Sequence, residues 1–410
     1  MATFHENLQK YADLAVKVGV NIQKGQTLVV NAPLTSAEFV RNIAKSAYEA
    51  GAKNVHVEWN DEDLTRIKFD KAPDEAFKEF PTWKAKGFEE LAENGAAFLS
   101  ITSSNPDLLK GVDPERISNA SKTAGKAMEG YRNYIMSDHN SWSVVAVPSK
   151  AWAAKVFPDA PEEEQESKLW DAIFQATRVS TGDPVQSWKE HSANLEQKVE
   201  YLNKKHYKKL HYKAPGTDLT IELPDAHLWV GGVSENVKGD HFVANMPTEE
   251  VFTIPHKNGI NGVVASTKPL SYGGTVIEDF SLTFEGGRIV KAEAKHGNET
   301  LQHLIETDEG SHYLGEVALV PHDSPISNAE IIFFNTLFDE NASNHLAIGN
   351  AYSFCLEGGK NMSKEELEAA GANESVTHVD FMIGSEQMDI DGIKEDGSSE
   401  PIFRDGNWSI

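Results

Sequence analysis

The sequence predicts two architectures in succession: an α/β N-terminal domain with a mainly parallel sheet, then an α+β C-terminal domain with an antiparallel sheet or barrel. Three observations carry this. Short continuous apolar runs alternate with helical stretches through the first half, the pattern of strands covered on both faces by helices. Beyond Ala214, Pro-Gly and Gly-Gly steps separate segments of apolar–polar alternation, which read as antiparallel strands. A chain of 410 residues also exceeds one ordinary core. The change of character sets the boundary near residue 215, giving domains 1–215 and 216–410.

The elements follow in order. Phe4, Leu8, Tyr11, Leu14, Ala15 and Val18 recur at helical spacing. The runs 26–33, 53–59, 96–101 and 143–148 read as four strands, with helices over 36–50, 75–80, 87–93 and 119–136 between them. Gly51 ends the second helix. The charged segment 184–209 carries acids early and lysines late, an order that suits the helix macrodipole. After it, Pro215-Gly216, Gly231-Gly232, Gly273-Gly274 and Gly286-Gly287 punctuate strands such as DLTIEL, GGTVIEDF, SLTFEGG and RIVKAEAK. Helices return at 299–306 and 365–370.

Composition excludes several classes of function. The formal net charge is −25, a field that repels phosphate backbones and anionic lipid, so neither nucleic acid nor membrane is an expected partner. No run approaches the roughly 18 apolar residues of a membrane span. The first ten residues, MATFHENLQK, lack the basic patch and apolar run of a signal peptide, so a cytoplasmic location is expected. Cys355 is the single cysteine, which leaves no intrachain disulfide and no thiolate cluster. Flanked by Phe354 and Leu356, it reads as a small buried apolar group. Any zinc must rest on nitrogen and oxygen ligands.

Two His-x-acid pairs, His56/Glu58 and His378/Asp380, place both side chains on one strand face. With 15 histidines and 63 acids in the chain, chance alone supplies such pairs. Context separates them: His56 has no second ligand cluster nearby and reads as structural. His378 follows three other ligand-rich segments, Asn245–Glu250, Leu314–Val320 and Asn344–Tyr352. Glu316 enters a buried run and needs a partner or a proton; a hydrogen-bonded structural acid fits as well as a site residue. His345 lies in a helix-compatible stretch and fits a core histidine. Glu249 and Glu250 are adjacent, so one at most faces a site.

Together these segments resemble the aminopeptidase T, aminopeptidase S and PepS group of metallopeptidases. The motifs are Asn245–Phe252 (NMPTEEVF), Leu314–Val320 (LGEVALV), His345–Tyr352 (HLAIGNAY) and His378–Gly384 (HVDFMIG), and the likeness extends to Tyr11–Val16. The resemblance implies two divalent metal ions (Zn, Co or Mn) held by Glu250, Glu316, His345, His378 and Asp380, with Tyr352 near them as a catalytic hydroxyl. It implies a metal-activated water, peptide substrates with a free N-terminus, and a homodimer. No general base is identified; Glu249 and Glu340 are the candidate carboxylates behind the ligands. Two other readings stay open: a metal-dependent amide or ester hydrolase of small metabolites, and a binding protein whose acids and histidines are satisfied core groups.

Overall fold

A computed structural model of the chain describes residues 3–103, 105, 107–272 and 275–410. The turn expected at Gly273-Gly274 lies outside the described residues. Two compact units emerge, Met1–His191 with Val233–Pro247, and Ser192–Gly232 with Thr248–Ile410.

The first unit is built on a four-stranded parallel sheet, ordered 54–60, 27–33, 97–102, 142–146. Thr27–Pro33 lies inside the sheet, with Leu28, Val29 and Val30 wholly buried, which is why it reads as an unbroken apolar run. Helix Phe4–Leu14 starts at a capping box, in which Thr3 accepts from the Glu6 amide and Glu6 accepts from the Thr3 amide. Its buried face carries Tyr11, whose hydroxyl donates to the Ala146 carbonyl at 3.0 Å and ties the helix to the last strand. Helix Ala37–Glu49 stops at Gly51, whose φ of +99° is the left-handed turn expected of a glycine there.

Two expectations change in this unit. The tract 119–136 forms two helices, Pro114–Ala127 and Glu129–Met136, broken at Met128 between Gly125 and Gly130. Glycine is a poor helix former and lets a break fall there. The helix expected over 75–80 is a 3₁₀ turn, Asp74–Phe77, while Glu62–Lys71 is helical without a buried face that periodicity could have flagged.

The second unit holds two antiparallel sheets. The larger has nine strands, running 270–272, 275–285, 260–265, 217–222, 209–214, 389–393, 399–404 and 407–408, with 288–296 paired to 275–285. Gly216 turns 209–214 back onto 217–222, and Gly286-Gly287, both at positive φ, turns 275–285 onto 288–296. GGTVIEDF and SLTFEGG belong to one strand, Thr275–Glu285. Asp279, at φ +50°, shifts the phase of burial between Ile277 and Phe280, so the pattern looks like two strands.

The smaller sheet is ordered 378–382, 345–349, 314–319, 251–253. Its two inner strands, Leu314–Leu319 and His345–Gly349, are buried at every position. His345 is thus on a strand and not in a helix, because pairing on both sides overrides the weak local preference of HLAIG. One face of this sheet, carrying Val317, Leu319, Leu346, Ile348 and Phe381, joins the apolar core of the larger sheet.

Candidate metal centre

Strand pairing alone decides which side chains share the other face. Glu316 pairs with Ala347, and Ala347 with Asp380, so all three point the same way from the sheet. Gly349 pairs with His378, while Ala318 pairs with His345 on one side and Phe252 on the other. Residues two apart keep their face. Glu250, two before Phe252, therefore joins Glu316, His345, His378 and Asp380. The positions between them are Ala318, Ala347 and Gly349, small enough to leave the polar groups facing one another.

Two glycines allow the backbones to approach. A side chain at Gly315 would come within 2.1 Å of the Asn350 carbonyl, at a bulge adjoining Glu316. One at Gly231 would come within 2.5 Å of the Glu250 carbonyl. The buried Asn341 adds a tether: its side-chain oxygen accepts from the Glu249 amide at 2.7 Å, and its nitrogen donates to the Leu337 carbonyl.

The polar atoms fall into two triads. His345 Nε2 lies 3.3 Å from Glu250 Oε2 and 3.5 Å from Glu316 Oε1. His378 Nε2 lies 3.3 Å from Glu316 Oε2 and 3.5 Å from Asp380 Oδ1. Glu250–Glu316–His345 and Glu316–His378–Asp380 each bring their ligand atoms within 4.8 Å of one another. Glu316 serves both, one oxygen to each. The other imidazole nitrogens are anchored: His345 Nδ1–H donates to the Ser343 carbonyl (3.2 Å) and His378 Nδ1–H to the Asn350 carbonyl (2.8 Å). That fixes each ring with Nε2 toward the carboxylates, the arrangement of a metal-ligating histidine.

The donor set fits divalent cations on electrostatic grounds. Glu250, Glu316 and His345 are buried, and burying an unpaired ion costs several kcal/mol. Among the described residues, the ion-pair partners of these carboxylates are imidazoles and not Lys or Arg. Burial opposes charge on His378, but hydrogen bonds to Asp380 and Glu316 outweigh it and lift the ring to about 11. His345 is likewise lifted, against burial, by Glu250 and Glu316. Burial would raise Glu316, yet the two imidazoles hold it at about 2. Burial wins at Glu250, which sits above its ordinary value.

Two further groups face this centre. Glu340 is pushed well above the usual carboxylate range by burial, then by the charges of Glu250 and Asp380. The sequence offered only its proximity to His345, which marks many solvated acids too. Tyr352 sits with its ring centroid 4.7 Å from that of His378, stacked on Phe354 at 5.2 Å and edge-on to Phe252 at 6.1 Å. Burial first, then Glu316 and Asp380, raises its phenol so far that it stays an O–H donor. The remaining candidates fall away. Cys355 is buried among Ile254, Leu356 and Ala372, its thiol pushed up by burial. His56 is exposed, and Glu58 is taken by Lys84.

The family model described as thermophilic metalloprotease (M29) matches residues 4–408. The chain is 62% identical to aminopeptidase AmpS of Bacillus subtilis and 43% identical to aminopeptidase T of Thermus thermophilus, each over the whole of both chains. A solved structure of wild-type AmpT from Thermus thermophilus superposes with a TM-score of 0.93, at 43% identity and full coverage of both chains. A fold shared end to end and a family match across nearly every residue leave one conclusion: the chain belongs to the M29 metalloprotease family.

Proposed function

We infer that the chain is a metal-dependent aminopeptidase acting on peptides, with two divalent ions held by Glu250, Glu316, His345, His378 and Asp380. The observation that carries the dinuclear reading is the division of Glu316 between two triads. Relatives named as aminopeptidases across the family support peptide hydrolysis over a small-metabolite amidase, an esterase or a binding protein. When bound, such an ion pair supplies Lewis acidity and an acidified water at neutral pH. Zn, Co and Mn all accept this oxygen and nitrogen donor set.

The chain's own residues do the rest. The three carboxylates Glu250, Glu316 and Asp380 offset most of the charge of two bound divalent ions, and a free terminal amine would be recognised as a ligand to one of them, which an acetylated nitrogen cannot match. The Tyr352 hydroxyl donates to the carbonyl oxygen as negative charge develops there. Glu340, its carboxyl raised by burial first and then by Glu250 and Asp380, is the candidate to exchange a proton with the reacting groups. A cytoplasmic homodimer without nucleic-acid or membrane partners belongs to this reading. Among the described residues no helix is long and apolar enough to cross a membrane.

Aminoacyl-anilides with free and N-acetylated amino groups test the exopeptidase assignment. Turnover of the free forms is expected to exceed that of the acetylated forms by about a hundredfold or more. Equal turnover would overturn it. Metal affinity should also depend on pH. The raised His345 and His378 carry protons across neutral pH, and ligation must displace them. The apparent association constant is therefore expected to rise by roughly tenfold or more per pH unit between pH 6 and 8. Competition titration against a chelator indicator of known pH behaviour measures it, and a flat profile contradicts the proton-for-cation exchange.

A further inference from the structure

Beside the metal centre lies a small pocket of about 120 Å³ in the same unit, well below the ~300–1,000 Å³ of sites that enclose a drug-sized ligand. Its apolar walls include Leu270, Val276, Ile332, Phe334 and Met382, and Ser271, Asn335, Thr336 and Asp339 line it too. Asp380 and Glu340 line it as well, so it shares two side chains with the acid-rich face described above. Register explains the junction. Met382 lies two residues beyond Asp380 and pairs with His345, so the ligand-bearing face of the sheet turns from polar to apolar there.

One wall is held in an unusual conformation. Phe334 has a φ of +52°, a costly backbone for a bulky side chain that persists only when its surroundings impose it. The imposing group is Asp339. Its Oδ1 accepts from the Phe333 amide at 2.8 Å and its Oδ2 from the Asn335 amide at 3.0 Å, on either side of Phe334. Asn335 in turn caps the short helix Thr336–Asp339 by accepting from the Leu337 amide. The aromatic wall is thereby built before any ligand arrives.

We propose that this pocket receives the side chain of the substrate's N-terminal residue and selects uncharged aliphatic side chains of about leucine size, with Phe334 and Val276 setting the limit. The proposal rests on the aminopeptidase reading. With the terminal amine and the scissile carbonyl at the metal centre, the first side chain branches from the carbon between them. A cavity that shares Asp380 with that centre is within its reach. The apolar walls desolvate a hydrocarbon side chain, and a charged one would be buried there without an ion-pair partner, which is costly.

The test measures kcat/KM for alanyl-, leucyl- and tryptophanyl-4-nitroanilide with the metal-loaded wild type, Val276→Phe, Phe334→Ala and the milder Phe334→Leu. Val276→Phe narrows the pocket, so the leucine-to-alanine ratio is expected to fall about tenfold or more. Phe334→Ala widens it, so the tryptophan-to-leucine ratio is expected to rise about tenfold, with Phe334→Leu intermediate. Calorimetric binding of L-leucine and L-alanine to wild type and Val276→Phe should order the same way without turnover. Ratios unchanged within about threefold in an active enzyme overturn the pocket assignment alone. A wild type that cleaves none of the three anilides overturns the aminopeptidase reading, and the pocket with it.

Discussion

Glu316→Ala is expected to lose both metal ions together and to lower kcat/KM by roughly ten-thousandfold or more. Its two oxygens face different imidazoles, His345 at 3.5 Å and His378 at 3.3 Å. Deleting the carboxylate therefore removes a ligand from each triad at once. Elemental analysis after dialysis, beside activity and circular dichroism, reads the result. Retention of one full equivalent of metal would show that Glu316 belongs to a single ion. The contrast is His378→Ala, which touches only the triad containing Asp380 and should spare the ion at Glu250 and His345.

Tyr352→Phe is expected to leave metal content and KM near wild type while kcat falls roughly ten- to a thousandfold. The substitution keeps the ring, and with it the packing on Phe252, Phe354 and His378. Only the hydroxyl is lost. Because burial and nearby carboxylates keep the phenol protonated, its contribution should not titrate within the enzyme's working range. Single-turnover kinetics on metal-saturated protein checks this. An unaltered kcat removes Tyr352 from the reaction.

How far the sequence carried depended on whether local chemistry or distant pairing decides each feature. The parallel sheet was legible because Thr27–Pro33 and Ala97–Thr102 are apolar runs bounded by helical text. The hairpins at Gly216 and Gly286-Gly287 were legible because those turns need positive φ. Helix Glu62–Lys71 was not, since it buries no residue and so shows no periodicity. His345–Gly349 read as helical because a strand buried at all five positions has no alternation to display. In the site, spacing could not separate His56/Glu58 from His378/Asp380. The difference lies in what each strand pairs with. Both strands are sheet edges, but His56 is registered against Val29 of an apolar strand, whereas His378 is registered against Gly349, whose strand also pairs with that of Glu316. Four motifs in the right order pointed to the five residues as a set. Glu340 carried no such mark, because its raised protonation is created only by the fold.

The parity of the small sheet ties catalysis to folding. Along Glu316–Leu319, past the bulge after Leu314, side chains go alternately to the candidate metal site and to the oil, with Glu316 on one side and Val317 on the other. A slip of one step against His345–Gly349 would turn the Glu316 carboxylate into hydrocarbon and present Val317 to the imidazoles. Such an arrangement can neither bind metal nor bury its charges. Metal binding is therefore expected only of chains that have taken the correct alignment.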